Sequence, residues 1–251
     1  MNTAQRPRLR LLDTLRGATL ISMIVYHAIW DLVYIYGVDI AWYESTGAYI
    51  WQQAICHTFI ILSGFCFSLG RRPLRRGITV FIGGTVVSLV TAVFMPSSLV
   101  MFGILTLMGS CMLIMIPLDR LLCRVIPEIG AAVNLLLFVI TRNVERGYLG
   151  YEGWNILALP ELLYRNHLTA YLGVPHRGFY STDYFPLIPW LFLFVFGYFL
   201  HKIFKKYTLC ERLLSRGDLP VLGFIGRHTL PIYMLHQPLI YGACERIFTL
   251  I

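Results

Sequence analysis

Charge is what this sequence has least of. Of 251 residues only 14% are Asp, Glu, Lys or Arg, while 57% are apolar; an ordinary soluble domain carries about 25% charged residues. No stretch is polar enough to build a second, aqueous domain, so one transmembrane domain over residues 1–251 is expected. Acids are scarcer than bases, 13 against 21, which leaves a net charge of +8. That surplus does not point to nucleic acid, because the cations sit in short clusters between apolar runs, the orientation pattern of a membrane protein. The six cysteines (Cys56, Cys66, Cys111, Cys123, Cys210, Cys244) fall in or beside apolar segments and lack metal-ligand spacing. Neither a disulfide framework nor a metal site is expected from them; small buried thiols are the default. A cleavable signal peptide is not expected either, since the first apolar segment is too long and carries charge. Nor is there an internal repeat of the kind that marks many transporters.

What the chain does have is long apolar runs: Leu11–Tyr36, Ala48–Gly70, Ile78–Met95, Leu99–Pro117, Tyr184–Phe204 and His228–Leu250. Each exceeds the roughly 17 residues a spanning helix requires. Ile129–Thr141 is ambiguous by length, and charge decides it. With seven spans and a cytoplasmic N-terminus, one side receives Arg6, Arg8, Arg10, Arg71, Arg72, Arg75, Arg76, Arg120, Arg124, Lys202, Lys205, Lys206, Arg212, Arg216 and Arg227. The other holds only Arg142, Arg146, Arg165, Arg177 and Arg246. Without the Ile129 span the Lys202–Arg227 cluster moves outside, against the positive-inside bias. The expected fold is therefore an all-α, polytopic membrane helix bundle of about seven transmembrane helices. Its long outer loop, Arg142 to Asp183, is rich in Tyr, Trp, Leu and Gly and is expected to carry a short helix around Leu159–Leu172. That loop reads equally as an interfacial aromatic belt or as a lid over an outward cavity.

The first span is the most informative. It places Asp13, Arg16, His27 and Asp31 within an apolar helix, on an arc ~60° wide at 3.6 residues per turn. His27 follows Arg16 by eleven residues, close to three full turns, and so sits above it by ~16 Å. Asp31, one turn further, can orient or charge-stabilise the imidazole. Ionisable groups inside a span are costly, rarely face lipid and point to function by default. Asp13 and Arg16 also read as a local ion pair, and His27 with Asp31 as a structural hydrogen bond. His57 lies in the second span at a depth similar to His27, because the two helices run in opposite directions; it could face the same cavity or be a packing residue. The last span contributes GRHTLPIYMLHQP, Gly226 to Pro238, with Arg227 and His228 at the cytoplasmic mouth and His236 and Gln237 about two turns in. Pro231 and Pro238 should bend or loosen that helix.

These blocks carry a resemblance. LDTLRGATLISMIVYH, from Leu12 to His27, resembles the opening of transmembrane acyltransferases. FIILSG (Phe59 to Gly64), FGIL (Phe102 to Leu105), DYFPLIPW (Asp183 to Trp190) and GRHTLPIYMLHQP resemble successive pieces of the heparan-alpha-glucosaminide N-acetyltransferase catalytic-domain family. The first block is also similar to acyltransferase family 3, in which an Arg and a His separated by ten residues in the first helix are required; Arg16 and His27 fit that spacing. The resemblance implies a multi-pass protein of the cytoplasmic (inner) membrane that takes an acetyl group from acetyl-CoA on the cytoplasmic side. The acceptor, a glycan hydroxyl or amine, would be modified at the outer side. The lysosomal enzyme of the family is associated with an acetyl-carrying His in the first outer loop. Gly37–Gly47 contains no His here, which favours direct transfer over a covalent acetyl-histidine.

In that reading His27 is the general base, Asp31 holds its tautomer, and His57 is a further catalytic candidate. Arg16, with Asp13 beside it, would face the CoA pyrophosphate or pantetheine, with Arg227 and His236 also on the donor side. Either Arg227 or the RRPLRR loop (Arg71 to Arg76) would attract the 3′-phosphate, although the loop's four arginines already serve orientation. The partners are acyl-CoA, a glycan or amino-sugar acceptor and the lipid bilayer, with a homodimer left open and no nucleic acid. The main alternative is a proton-coupled transporter or flippase, since paired His and carboxylate groups in a bundle also suit a proton relay. A structural subunit would leave the polar stripe without a role.

Overall fold

The computed structural model describes residues 9–209, 214 and 219–249. Of the cations in the orientation argument, Arg6, Arg8, Arg212 and Arg216 lie outside the described residues, as does Cys210. The chain folds as an all-α polytopic membrane bundle. Its long helices are α1 (Arg10–Tyr34), α2 (Thr46–Phe67), α3 (Pro73–Phe94), α4 (Ile104–Leu122) and α5 (Pro127–Thr141). A short α6 (His167–Leu172) precedes α7 (Leu187–Lys206), α8 (Pro220–Arg227) and α9 (Thr229–Phe248). Pro73, Pro127 and Pro220 open α3, α5 and α8, at positions where the missing N–H has no intrahelical partner to lose.

Among the described residues six helices are long and apolar enough to cross a membrane: α1 to α4, α5 with the turn after it, and α7. Every apolar run read from the sequence contains a helix. The last run, His228–Leu250, holds α9, and the short α8 precedes it as a separate helix ending at Arg227. Helix α9 has spanning length at 20 residues, but His236, Gln237, Glu245 and Arg246 keep it out of the apolar set. Pro231 sits in its first turn, where it costs nothing, and the helix continues through Pro238.

The chain divides into two compact units, Met1–Leu62 with Phe204–Ile251, and Ser63–Ile203. In the first, α1 and α8 approach at backbone distance. A Cβ on Gly17 would lie 2.0 Å from the Leu222 carbonyl oxygen, and one on Gly226 would lie 1.8 Å from that of Asp13. Only glycine permits such an approach. Leu20, Met23 and Ile55 form the buried centre, flanked by Phe59, Ile225, Ile232 and Tyr233. The Trp51 indole donates to Ser22 Oγ at 2.8 Å, which ties α2 to α1.

In the second unit α3 and α4 pack through Gly84 against Thr106 and Gly109 against Phe81. Tyr198 on α7, fully buried, donates its hydroxyl to Asp119 on α4 at 2.5 Å. Lys202 donates to the Leu122 carbonyl at 3.2 Å. The outer loop is more ordered than its sequence suggests. Tyr148–Tyr151 (β1) and Trp154–Ala158 (β2) pair antiparallel around Glu152 and Gly153, both at positive φ, the requirement of a two-residue hairpin turn. The helix expected around Leu159–Leu172 is confined to α6. Pro160 and a short turn at Glu161–Leu163 occupy the first part, and Asn166 starts α6 by accepting from the Thr169 N–H at 3.0 Å. The segment before α7 is pinned to the start of α4: Ser181 bonds both backbone groups of Met101, and Ile104 N–H donates to Asp183 at 3.3 Å.

Candidate active site

Helices α1 and α9 run parallel in the first unit, and two polar rungs join them. In the first, the His27 and His236 rings stand 5.1 Å apart, tilted by 33°. In the second, one turn further along α1, Gln237 donates its amide to Asp31 Oδ1 at 2.7 Å. Past both, at the end of α1, the Tyr36 hydroxyl reaches Glu245 at 3.2 Å. The stripe legible on α1 thus has a counterpart on α9, and the two meet inside one unit.

Hydrogen bonding fixes what each group can do. His236 Nδ1 contacts the Tyr233 carbonyl. A carbonyl can only accept, so Nδ1 carries the proton and Nε2 presents a lone pair. That Nε2 is buried with no hydrogen-bond partner among the described residues, and the same holds for Asp31 Oδ2 and Gln237 Oε1. Asp31 is fully buried. Leaving a buried acceptor unmade costs about 1–3 kcal/mol. Three of them on one pair of facing helices is an arrangement that only donor-bearing groups would relieve. His27, partly buried, makes no hydrogen bond through either ring nitrogen among the described residues. Both of its tautomers are therefore open.

The placement of the other sequence candidates differs. Asp31 does not bond to His27, because its donor is Gln237 across the helix pair. His57 Nδ1 bonds to the Gln53 carbonyl on its own helix, and neither a hydrogen bond nor a ring contact joins it to His27 or His236. Asp13 and Arg16 form an ion pair at 4.0 Å, as their spacing suggests. Gly226 lies against the Asp13–Gly17 turn, so Arg227, the next residue, reaches the same end of α1 as Arg16. Arg227 is exposed and stacks on Phe224, 5.9 Å from the ring centroid. Arg16 lies ~16 Å along the helix from His27, and two guanidinium groups at this end suit an anionic ligand. The Arg71–Arg76 cluster belongs to the other unit. Among the described residues no three His, Cys, Asp or Glu side chains are placed to hold a metal ion, and no disulfide joins the five described cysteines.

The family model for heparan-alpha-glucosaminide N-acetyltransferase, catalytic, matches residues 8–238. The chain belongs to this family. Membership implies acetyltransferase activity in a membrane protein. No curated protein and no solved structure gives a significant match. In this N-acetyltransferase-family chain the matched stretch takes in both rungs and the Arg16–Arg227 end, and it closes one residue after Gln237. Gln237 and the Tyr233 carbonyl were the groups that sequence reasoning did not assign. Gln237 stands next to a histidine in an apolar helix, but nothing in a linear pattern says which residue of which helix it faces.

Proposed function

We propose that the chain moves an acetyl group from acetyl-CoA, entering at the cytoplasmic Arg16–Arg227 end, to an amine or hydroxyl of a glycan acceptor reaching the α1–α9 rungs from the outer side. Residues 1–251 act as one transmembrane acyltransferase domain of the inner membrane, with α9 as a seventh span and the N-terminus cytoplasmic. Transfer is direct. A histidine takes the acceptor's proton, the acceptor atom attacks the thioester carbonyl, the C–S bond breaks and the CoA thiolate leaves to be protonated.

The observation that carries this reading is the set of buried, unpartnered acceptors, His236 Nε2, Asp31 Oδ2 and Gln237 Oε1. An acceptor substrate brings the N–H or O–H donors these atoms lack. His236, whose proton is committed to Tyr233, can serve only as a base. His27 can serve as the base or, in the other tautomer, donate to the thioester carbonyl as negative charge develops there. Asp31 and Gln237 hold the acceptor and keep the two helices in register.

The test is acetyl transfer in proteoliposomes with acetyl-CoA supplied to the cytoplasmic face and amino-sugar or polyol acceptors to the other. His27→Ala and His236→Ala should each lower turnover, the base by ~10²–10⁴, with the protein still folded in thermal denaturation. Full turnover in both single variants and in the double variant would refute a histidine base at this site.

A further inference from the structure

The outer hairpin is built in a way its hydrogen bonds do not explain. Strand β1 packs against α5, the helix that leaves the membrane at Thr141. Strand β2, paired to β1 on one side, leaves all five of its residues exposed. Three of them are large and apolar: Trp154 is 83% exposed, Ile156 68% and Leu157 58%. Leu162 in the following turn, at 67%, and Leu168 on α6, at 68%, are exposed as well. No charged residue occurs from Gly153 to Pro160. A strand open on both faces normally carries polar residues on at least one, and bare apolar edges are otherwise a liability in water.

We propose that this hairpin is an interfacial anchor, with Trp154, Ile156 and Leu157 seated in the headgroup region of the outer leaflet. Continuity argues for lipid as the occupant. The strand beneath it rests on a membrane-spanning helix within a few residues of the point where that helix ends, so β2 lies at the boundary depth that Trp favours. Two arginines of the loop are engaged with acids, Arg146 with Glu152 at 3.4 Å and Arg177 with Glu161 at 2.8 Å. The one acid of the hairpin turn, Glu152, is paired in this way, and β2 itself is uncharged. The loop is then a fixed brace that sets the height of α5 and α7 against the bilayer surface, and the inference stands whether or not the acetyl-transfer reading does.

Tryptophan emission tests it. The chain has five tryptophans, and the difference between wild type and Trp154→Phe isolates one of them. Trp154 packs against little, so the substitution leaves the fold intact. In vesicles of phosphatidylcholine brominated near the headgroup, the Trp154 component should be blue-shifted and quenched, and more strongly than by lipid brominated near the chain terminus. A component quenched by aqueous iodide and untouched by either lipid would overturn the proposal, placing the hairpin in water. A component protected from lipid and iodide alike would overturn it in favour of a protein partner, this chain's own copy included.

Discussion

The face between α1 and α9 and the face between α4 and α7 each set a carboxylate against a polar side chain of the opposite helix, yet they are finished differently. Between α4 and α7 the carboxylate and the facing lysine are both answered. Tyr198 donates to Asp119, and Lys202 lies over the Tyr198 ring, 4.7 Å from its centroid, while donating to a carbonyl. Between α1 and α9, Asp31 receives one bond from Gln237, and three buried acceptors receive none. A saturated set of bonds holds helices together and has nothing left for a ligand. An unsaturated one is paid for by packing elsewhere, here by the close glycine contact of α1 with α8. Single buried polar atoms without a hydrogen bond occur elsewhere among the described residues, at Glu128 Oε2, Asn143 Oδ1 and His201 Nδ1, but only the α1–α9 face gathers three on two facing helices.

The largest test of that contrast is at the unsaturated face. Changing His236 to Ala removes a base with no intramolecular bond at Nε2, so turnover should fall by ~10²–10⁴, while loss of the buried ring and its bond to the Tyr233 carbonyl costs about 1–3 kcal/mol. Turnover of the His27→Ala/His236→Ala double variant should fall little below that of the weaker single variant, because groups that act in one step are not additive. Kinetics and thermal denaturation in the same detergent preparation give both readings. A variant that melts early and turns over normally would make this face structural and erase the distinction.

Gly226→Ala should come next. Its methyl would sit 1.8 Å from the Asp13 carbonyl oxygen, and overpacking of this kind typically costs about 1–3 kcal/mol. Gly242→Ala is the internal control. That site lies mid-α9 with nothing within 4 Å, so the change should be neutral or stabilising by up to about 1 kcal/mol. Equal melting temperatures for the two variants would mean that the α1–α8 approach contributes nothing. At the saturated face, Tyr198→Phe removes the donor to Asp119 and should cost about 1 kcal/mol with turnover retained. A collapse of turnover there would move catalytic importance to the α4–α7 face.

How much of this was legible from the residues follows from the range of the physics involved. Apolar runs report spans because lipid demands them over some twenty residues, so each expected run contains a helix. Arg16, His27 and Asp31 were visible because charge inside such a run is costly. The Asp31–Gln237 bond was not, since register between two helices depends on packing that no linear period encodes; the expected Asp31–His27 bond lost to a donor 206 residues away in sequence. The short α8 was not expected ahead of the last apolar run, because its eight residues are too few to register as a span. The hairpin did leave a local sign in Glu152-Gly153 between two apolar runs, but the loop's composition reads as a belt or a lid and assigns no strand there.

The smallest effect belongs to Asp183, a third way of finishing a carboxylate. It caps the start of α4 through the Ile104 N–H, and burial pushes its pKa up to about 6 while that bond pulls the other way. An unfolded Asp titrates near 3.9. Between these two values the folded protein holds a proton that the unfolded chain has released, so stability should fall as pH rises from about 4 to about 6 and level off above. The term should be about 1 kcal/mol once solvent screening at this partly exposed site is allowed for. Asp183→Asn keeps an oxygen for Ile104 and has no proton to lose. It should abolish the slope and melt above wild type at neutral pH, measured as melting temperature against pH in detergent. A wild-type slope of the opposite sign would mean that the bond to α4 outweighs burial, and Asp183 would then join Asp119 among the fully answered carboxylates.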